Sequence, residues 1–241
     1  ASAIELRKFD VLVHNFSYDD DTVGFSLKNL HFIERSGFKF YNISACVQIF
    51  DLGININNFA LNSNNSQIIC PVINLSGKET DYLSDPVNKL SLELEIDSSY
   101  FNIADLGYIF PKYKNINDIV SFSGNFNGNL SRIKVNDFNL DYGSDTKLNA
   151  NLSLDGLPDL NFTFIFGTIN EFSTSSRDIY RLTESLSPEK PVKLPDFINE
   201  LGNIGFTGNI TGLINDAVAY GNFTTNIGNI DTDLGLTVDF E

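Results

Sequence analysis

Two histidines, two cysteines and a run of three aspartates are the side chains here best suited to chemistry. His14 and His31 could act as general bases, but neither has a Cys, Asp or Glu at a recognisable motif spacing. Both read as solvated or satisfied strand residues. Asp19-Asp20-Asp21 suggests Ca²⁺, yet it lacks the alternating oxygen ligands, the glycine and the distal Glu of a calcium loop. It follows Tyr18 between two strand patterns and reads as a solvated hairpin tip. Glu93 and Glu95 share the polar face of one strand, where carboxylates serve solubility. Cys46 and Cys70 both fall in strand patterns, and a disulfide and a pair of buried thiols both stay open. Phe122-Ser123-Gly124-Asn125-Phe126-Asn127-Gly128 resembles a phosphate loop only superficially. Such a loop needs a helix N-terminus directly after the glycines, whereas Leu130, Ile133 and Val135 read as strand. Its glycines mark bulges or bends. There is no Gly-x-Ser-x-Gly, His-Glu-x-x-His or Gly-x-x-x-x-Gly-Lys signature. An enzyme is therefore the least favoured class, with no catalytic residue, metal ligand or cofactor expected.

Composition narrows the remaining classes. The 241 residues carry 16 basic and 31 acidic side chains, a formal charge of -15. Phosphate backbones require clustered Lys and Arg, so nucleic acid is not an expected partner, and docking on anionic headgroups is disfavoured. A hydrophobic fraction of 42% with 21 Phe supplies something to bury. No apolar run approaches the roughly 18 residues of a membrane span. The chain begins Ala1-Ser2-Ala3 without an initiator Met or a signal-peptide pattern and stops at Glu241 after a strand-like pattern. It reads as a piece of a longer protein. There are 30 Asn and nine Asn-x-Ser/Thr sequons, at Asn15, Asn42, Asn64, Asn74, Asn129, Asn151, Asn161, Asn209 and Asn222. In eight of them the middle residue is Phe, Ile or Leu. That is the alternation of a half-buried strand, and it outweighs the glycosylation reading.

The elements behind these residues are mostly strands. Leu90 to Ile96, Leu148 to Leu154 and Leu234 to Phe240 alternate apolar and polar at every position, giving each one apolar and one wet face. Weaker alternation runs through Ile4 to Val13, Val23 to Ile33, Phe38 to Phe50, Ile54 to Leu61, Ile68 to Leu75, Val120 to Leu130 and Ile133 to Tyr142. Phe162 to Ile169, Ile204 to Leu213 and Ala217 to Thr225 complete about thirteen strands. One-sided burial favours antiparallel pairing, and turn residues such as Ser36-Gly37, Asn64-Asn65 and Asp155-Gly156 suit a meander of hairpins.

Two segments break the alternation. Ile103, Leu106, Ile109 and Phe110 follow Ser98-Ser99 and precede Pro111. Ile179, Leu182 and Leu186 follow Ser175 and Asp178 and precede Pro188. Both read as short helices with a Ser or Thr cap and a proline stop. Ser175 and Asp178 have capping-box spacing, with Asp in place of Glu or Gln. Phe197, Ile198 and Leu201 suggest a further helical turn. The Phe122–Gly128 motif recurs as Phe206-Thr207-Gly208-Asn209-Ile210-Thr211-Gly212, and Asp105-Leu106 and Asp178-Ile179 occupy similar places in their units. The expected organisation is three blocks, 1–112, 113–201 and a truncated 202–241, within one continuous elongated domain.

Several stretches resemble the TamB family of translocation and assembly module proteins, in particular Bacteroidetes-type members. They are Leu27-Lys28-Asn29-Leu30-His31-Phe32 through Ser36-Gly37-Phe38, Leu52-Gly53-Ile54-Asn55-Ile56 and Leu61-Asn62-Ser63-Asn64-Asn65-Ser66. Phe122 to Gly128, Asn136-Asp137-Phe138-Asn139-Leu140, Leu154-Asp155-Gly156-Leu157-Pro158-Asp159 and Thr174 to Ile179 add to them. The resemblance spans most of the chain but consists of strand and turn patterns without catalytic signatures. It implies an AsmA-like, bridge-like lipid transfer protein of Gram-negative bacteria, whose antiparallel sheets curl into an open trough with an apolar lining. It further implies a periplasmic location, an inner-membrane anchor, phospholipid or acyl chains as cargo, and an outer-membrane barrel partner reached through regions outside this stretch.

The expected fold is thus mostly β, an elongated antiparallel meander curled into an open hydrophobic groove with short inserted helices. A β-sandwich or β-solenoid is the alternative. The apolar faces must be covered by something, and the helices are too few to do it. Expected groove-lining residues are Leu90, Leu92, Leu94, Ile96, Leu148, Leu152, Leu154, Phe162, Phe164, Phe166, Leu234, Leu236, Val238 and Phe240. The competing function is a structural or adhesive extracellular β-protein without catalytic activity.

Overall fold

The computed structural model describes residues 6–79, 84–186 and 193–237. It contains thirteen strands in one open antiparallel meander whose order follows the chain. They are β1 (Leu6–Asp19), β2 (Thr22–Glu34), β3 (Lys39–Phe50), β4 (Gly53–Asn62), β5 (Gln67–Gly77), β6 (Leu90–Asn102), β7 (Ile119–Asn129), β8 (Arg132–Tyr142), β9 (Thr146–Asp155), β10 (Phe164–Ser175), β11 (Asn203–Leu213), β12 (Asp216–Thr225) and β13 (Gly228–Thr237). Neither a two-sheet sandwich nor a solenoid is formed by the described residues. The sheet is not closed into a barrel. The chain comprises two compact units, 1–123 and 124–241, and the boundary falls inside β7.

The local reasons are those of the sequence. Asp20 and Asp21, at φ 37° and 65°, form the two-residue turn that pairs Asp19 with Thr22, the left-handed conformation that short hairpins demand. Several strands carry bulges, where one strand gains a residue over its neighbour and the ladder bends. Asn15, Asn29, Asn58 and Asp137 have φ between 51° and 55°. They sit where the registers of β1–β2, β2–β3, β3–β4 and β8–β9 slip. Asn and Asp are the non-glycine residues that enter this region most readily. Part of the Asn excess therefore serves the bulges and not the wet face.

The inserted helices differ in detail from expectation. Ser98 and Ser99 do not cap a helix but remain in β6; the Ser99 hydroxyl accepts from the Ile69 N–H at 2.9 Å. The next segment, Ile103–Tyr108, is a 3-10 helix capped by Asn102, whose side chain accepts from the Ala104 N–H at 2.9 Å. Pro111 opens a second 3-10 turn, Pro111–Tyr113, at the first position that proline favours. After a four-residue α1 (Pro86–Lys89), the longest helix among the described residues is α2 (Ser176–Leu186), and α3 (Phe197–Leu201) supplies the further turn.

The two inserts repeat one arrangement. Asp105 in the 3-10 helix after β6 reaches back to the β4–β5 turn. It accepts from the Ser66 hydroxyl at 2.6 Å, the Ser63 hydroxyl at 3.0 Å, and the Asn65 side-chain amide at 2.8 Å. Asp178 in α2, after β10, reaches back to the β8–β9 turn. It accepts from the N–H groups of Asp145 at 2.8 Å and Thr146 at 2.9 Å, and from the Thr146 hydroxyl at 3.0 Å. Each repeat is thus a hairpin, a third strand, a helical insert whose aspartate clamps that hairpin, and a fourth strand bearing the glycine motif. Gly128 and Gly212, in β7 and β11, have φ of 140° and 138°, so the sequence echo corresponds to a shared backbone conformation. Both aspartates are buried, Asp105 at 4% and Asp178 at 1% exposure.

Candidate functional site

Directly opposed residues of antiparallel strands share a face, so the registers define continuous rows. In unit 1–123, Val23, Ile49, Ile54, Leu75 and Leu92 form one row across five strands. Phe25, Val47, Ile56, Ile73 and Leu94 form the next. Between them runs Gly24, Gln48, Asn55, Asn74 and Glu93, on the other face, where the Asn74 amide donates to Glu93 at 2.8 Å. Leu90 pairs with Gly77, and Ile96 follows in the phase of Leu94. Leu90, Leu92, Leu94 and Ile96 are half-buried, while Ser91, Glu93 and Glu95 between them are exposed.

In unit 124–241, Val135, Leu152, Gly167, Ile210, Ala219 and Leu234 form a six-strand row. Leu140, Leu148, Phe172, Phe206, Phe223 and Ile230 form another, and Leu154 pairs with Ile133 and Ile165. Small residues lower the surface in places: Ala150, Ala217 and Ala219 are buried, whereas Leu148, Leu152 and Leu154 keep part of their surface open. Leu236 pairs with Ala217 in the register of β12 and β13. Val238 and Phe240 lie outside the described residues.

Three expected residues are placed elsewhere. Phe164 and Phe166 oppose Asp155 and Ser153, on the face opposite Leu152 and Leu154. Phe162 belongs to a 3-10 turn, Leu160–Phe162, and is 75% exposed. The reason is that both phases of this segment are apolar. Ile165 and Ile169 take the phase that aligns with β9, which leaves the phenylalanines outward beside Leu213.

The helices lie at strand ends. α2 is held to the β8–β9 turn by Asp178, and the Tyr142 hydroxyl lies 3.5 Å from that of Ser185. The Asn226 N–H donates to the Leu201 carbonyl at 3.0 Å, tying the end of α3 to the β12–β13 turn. These contacts tie the described parts of α2 and α3 to the ends of the neighbouring strands. The capping box at Ser175 is half formed: its hydroxyl accepts from the Asp178 N–H at 3.3 Å, but the Asp178 carboxylate is used on the hairpin. Burial pushes that carboxyl up, and the N–H groups of Asp145 and Ser144, with the hydroxyl and N–H of Thr146, outweigh it and hold it below the ordinary range.

The two cysteines are both free, Cys46 exposed and Cys70 buried. Of the two readings the sequence left open, the disulfide is absent, since β4 separates the strands that carry the cysteines, and the pair of buried thiols holds only for Cys70. Burial pushes the Cys70 thiol up. Among the described residues no group of three His, Cys, Asp or Glu side chains is placed to hold a metal ion, and no helix is long and apolar enough to cross a membrane.

Missed by sequence reasoning were the row residues Val47, Ile56, Ile73, Val135 and Ile210. The phase of their alternation was visible, but its partner across the strand was not. What the rows offer is apolar area without a fixed charge in them, worth roughly 25 cal/mol for each Å² removed from water. No family model matches the chain, and comparison with curated proteins and with solved structures gives no match.

Proposed function

We propose that the chain is an interior stretch of a bridge-like lipid transfer and outer-membrane assembly protein of the TamB and AsmA-like kind. Its apolar rows shield phospholipid acyl chains in a groove between the inner and outer membranes. In this reading it is periplasmic and anchored through regions outside this stretch. The outer-membrane barrel partner is also met outside it. One observation carries the proposal: two sets of uninterrupted apolar rows, five and six strands wide, whose leucines stay half-open. An acyl chain laid along such a surface gains about 0.8 kcal/mol for each CH₂ buried. A lining without charge traps lets the chain move on. Acidic and amide side chains on the opposite face keep the body in water.

The test is native mass spectrometry of protein purified from cells, before and after delipidation, followed by uptake of labelled phospholipid. Copurifying lipid that is lost on delipidation and regained from the labelled pool supports the reading. Protein that carries no lipid and takes none up overturns it. The adhesive alternative has one observation in its favour. Phe162, Phe164 and Phe166, 45–75% exposed beside Leu213, make an apolar patch on the opposite face of the kind that marks contact surfaces.

A further inference from the structure

Several amides on the polar face are hydrogen-bonded to a neighbour: Asn74 donates to Glu93 at 2.8 Å, and Asn149 to Asn139 at 2.7 Å. One place on that face differs. In unit 1–123 a hollow of about 230 Å³ is lined by Asn15, Ser17, Ser26, Cys46, Gln48 and Asn57 around Gly24. Ser17, Gly24 and Gln48 are directly opposed across β1, β2 and β3, and Ser26, Cys46 and Asn57 across β2, β3 and β4. These are adjacent rows of the face that carries Asn55, Asn74 and Glu93. Asn15 joins them from the bulge in β1 between His14 and Ser17. Gly24 makes the space, since a Cβ there would stand 2.6 Å from the Ser17 hydroxyl oxygen. The side chains of Asn15, Gln48 and Asn57 make no hydrogen bond with another described residue. The Ser17 hydroxyl donates to the Gly24 carbonyl at 3.5 Å, and that of Ser26 lies 3.7 Å from the Cys46 sulfur. Among the described residues, no Lys, Arg, Asp or Glu lines the hollow, and His14 stands at its border opposite Ser26.

We propose that this hollow binds a neutral sugar ring, with the Asn15, Gln48 and Asn57 amides and the Ser17 and Ser26 hydroxyls hydrogen-bonding to its hydroxyl groups. A side-chain amide offers N–H donors and a carbonyl acceptor side by side, and a sugar hydroxyl both donates and accepts. An ion of either sign would find no countercharge here. An apolar ligand would find little to cover it, because the side chains of Phe25 and Val47, which also border the hollow, belong to the apolar row on the other face. At about 230 Å³ the hollow lies below the roughly 300–1,000 Å³ of drug-sized ligand sites, so it takes one ring and leaves the rest of any glycan chain outside. A few neutral hydrogen bonds without a stacking ring set the affinity in the millimolar range. The site lies opposite the apolar rows and does not rest on the lipid reading.

The experiment is a ¹H–¹⁵N titration of the 241-residue chain with glucose, N-acetylglucosamine and chitotetraose, and with inorganic phosphate as the charged comparison. Saturable shifts are expected at the side-chain amides of Asn15, Gln48 and Asn57 and at the backbone of Gly24 and Cys46. Affinity should fall about tenfold in Q48A/N57A and stay unchanged on adding salt. Saturating sugar should slow the reaction of the exposed Cys46 thiol with a maleimide. Gln48 is exposed and Asn57 half-buried, so the double variant keeps the fold, which its unshifted signals in unit 124–241 verify. Tighter binding of the tetramer identifies a glycan chain as the source of the ring, and equal binding of tetramer and monomer identifies a free sugar. No saturable shift with any of the three sugars, equal shifts with phosphate, or unchanged affinity in Q48A/N57A overturns the proposal. Leu92→Asp lies in the apolar rows and leaves this titration unaltered, so failure of the groove and failure of the hollow are separate results.

Discussion

The Asp178 carboxylate accepts the Thr146 N–H at 2.9 Å, joining α2 to a hairpin turn 32 residues upstream. The turn itself is largely exposed, so removing the carboxylate lets water reach part of the freed backbone. Asp178→Ala is expected to cost about 2–3 kcal/mol, and Asp178→Asn, which keeps the shape and loses the charge, about 1–2 kcal/mol. The pH dependence has a definite sign. A carboxyl held below its ordinary value contributes stability that is fully present above the unfolded value of about 3.9 and is lost as pH falls through the folded value. Amide exchange at Ser144, Asp145 and Thr146 measures this locally. The difference in protection between wild type and Asp178→Asn should be constant from neutral pH to about pH 5 and shrink below pH 4.

Gly143 should be coupled to the same carboxylate. Its φ is 64°, and a Cβ built there meets the Asp178 carboxylate. Gly143→Ala therefore carries both left-handed strain of about 1 kcal/mol and a steric conflict with the clamp. In the Asp178→Ala background only the strain remains. A double-mutant cycle by denaturant unfolding should give a smaller cost for Gly143→Ala in that background, by about 1–2 kcal/mol. Equal costs in the two backgrounds would show that the clamp does not reach the glycine in solution.

Much of the fold was legible because it depends on local periodicity. Leu90, Leu92 and Leu94 alternate with Ser91, Glu93 and Glu95, and strand β6 needed nothing more. The aspartate clamp was half legible. Asp105-Leu106 and Asp178-Ile179 stood out as an echo, but their partners, Ser63 to Ser66 and Ser144 to Thr146, lie 32 to 42 residues away, and spacing along the chain does not encode that distance. The facing of β10 was not legible. Phe162, Phe164 and Phe166 compete in phase with Ile165 and Ile169, and only the register with Leu152 and Leu154 decides between them. The bulges at Asn29 and Asn58 had no signal beyond the asparagines themselves.

Thiol chemistry should separate the two cysteines. Cys46 is exposed, and its sulfur lies 3.7 Å from the Ser26 hydroxyl. Cys70 is 4% exposed, and burial raises its thiol pKa, which lowers the thiolate fraction that reacts. A maleimide probe on folded protein at pH 7.5 is expected to label Cys46 fully and Cys70 at least tenfold more slowly. Unfolding in guanidinium should equalise the two rates. Comparable labelling of Cys70 in the folded protein would mean that β4 and β5 open far more often than their pairing implies.

The two faces of the sheet give the sharpest contrast. Leu92 and Leu152 belong to the apolar rows, while Phe166 opposes Ser153 on the other face and is 58% exposed. An aspartate in a row places a charge where acyl chains would lie, and an unpaired charge in an apolar setting is costly. Leu92→Asp and Leu152→Asp are each expected to reduce uptake of labelled phospholipid at least fivefold, whereas Phe166→Ser and Glu93→Gln leave it within twofold. Because Leu92 is only half-buried, its charge can partly reach water, and circular dichroism and thermal unfolding should show the strands retained. A loss of uptake in Phe166→Ser equal to that in Leu92→Asp would assign the lipid to the wrong face and remove the main support for the groove.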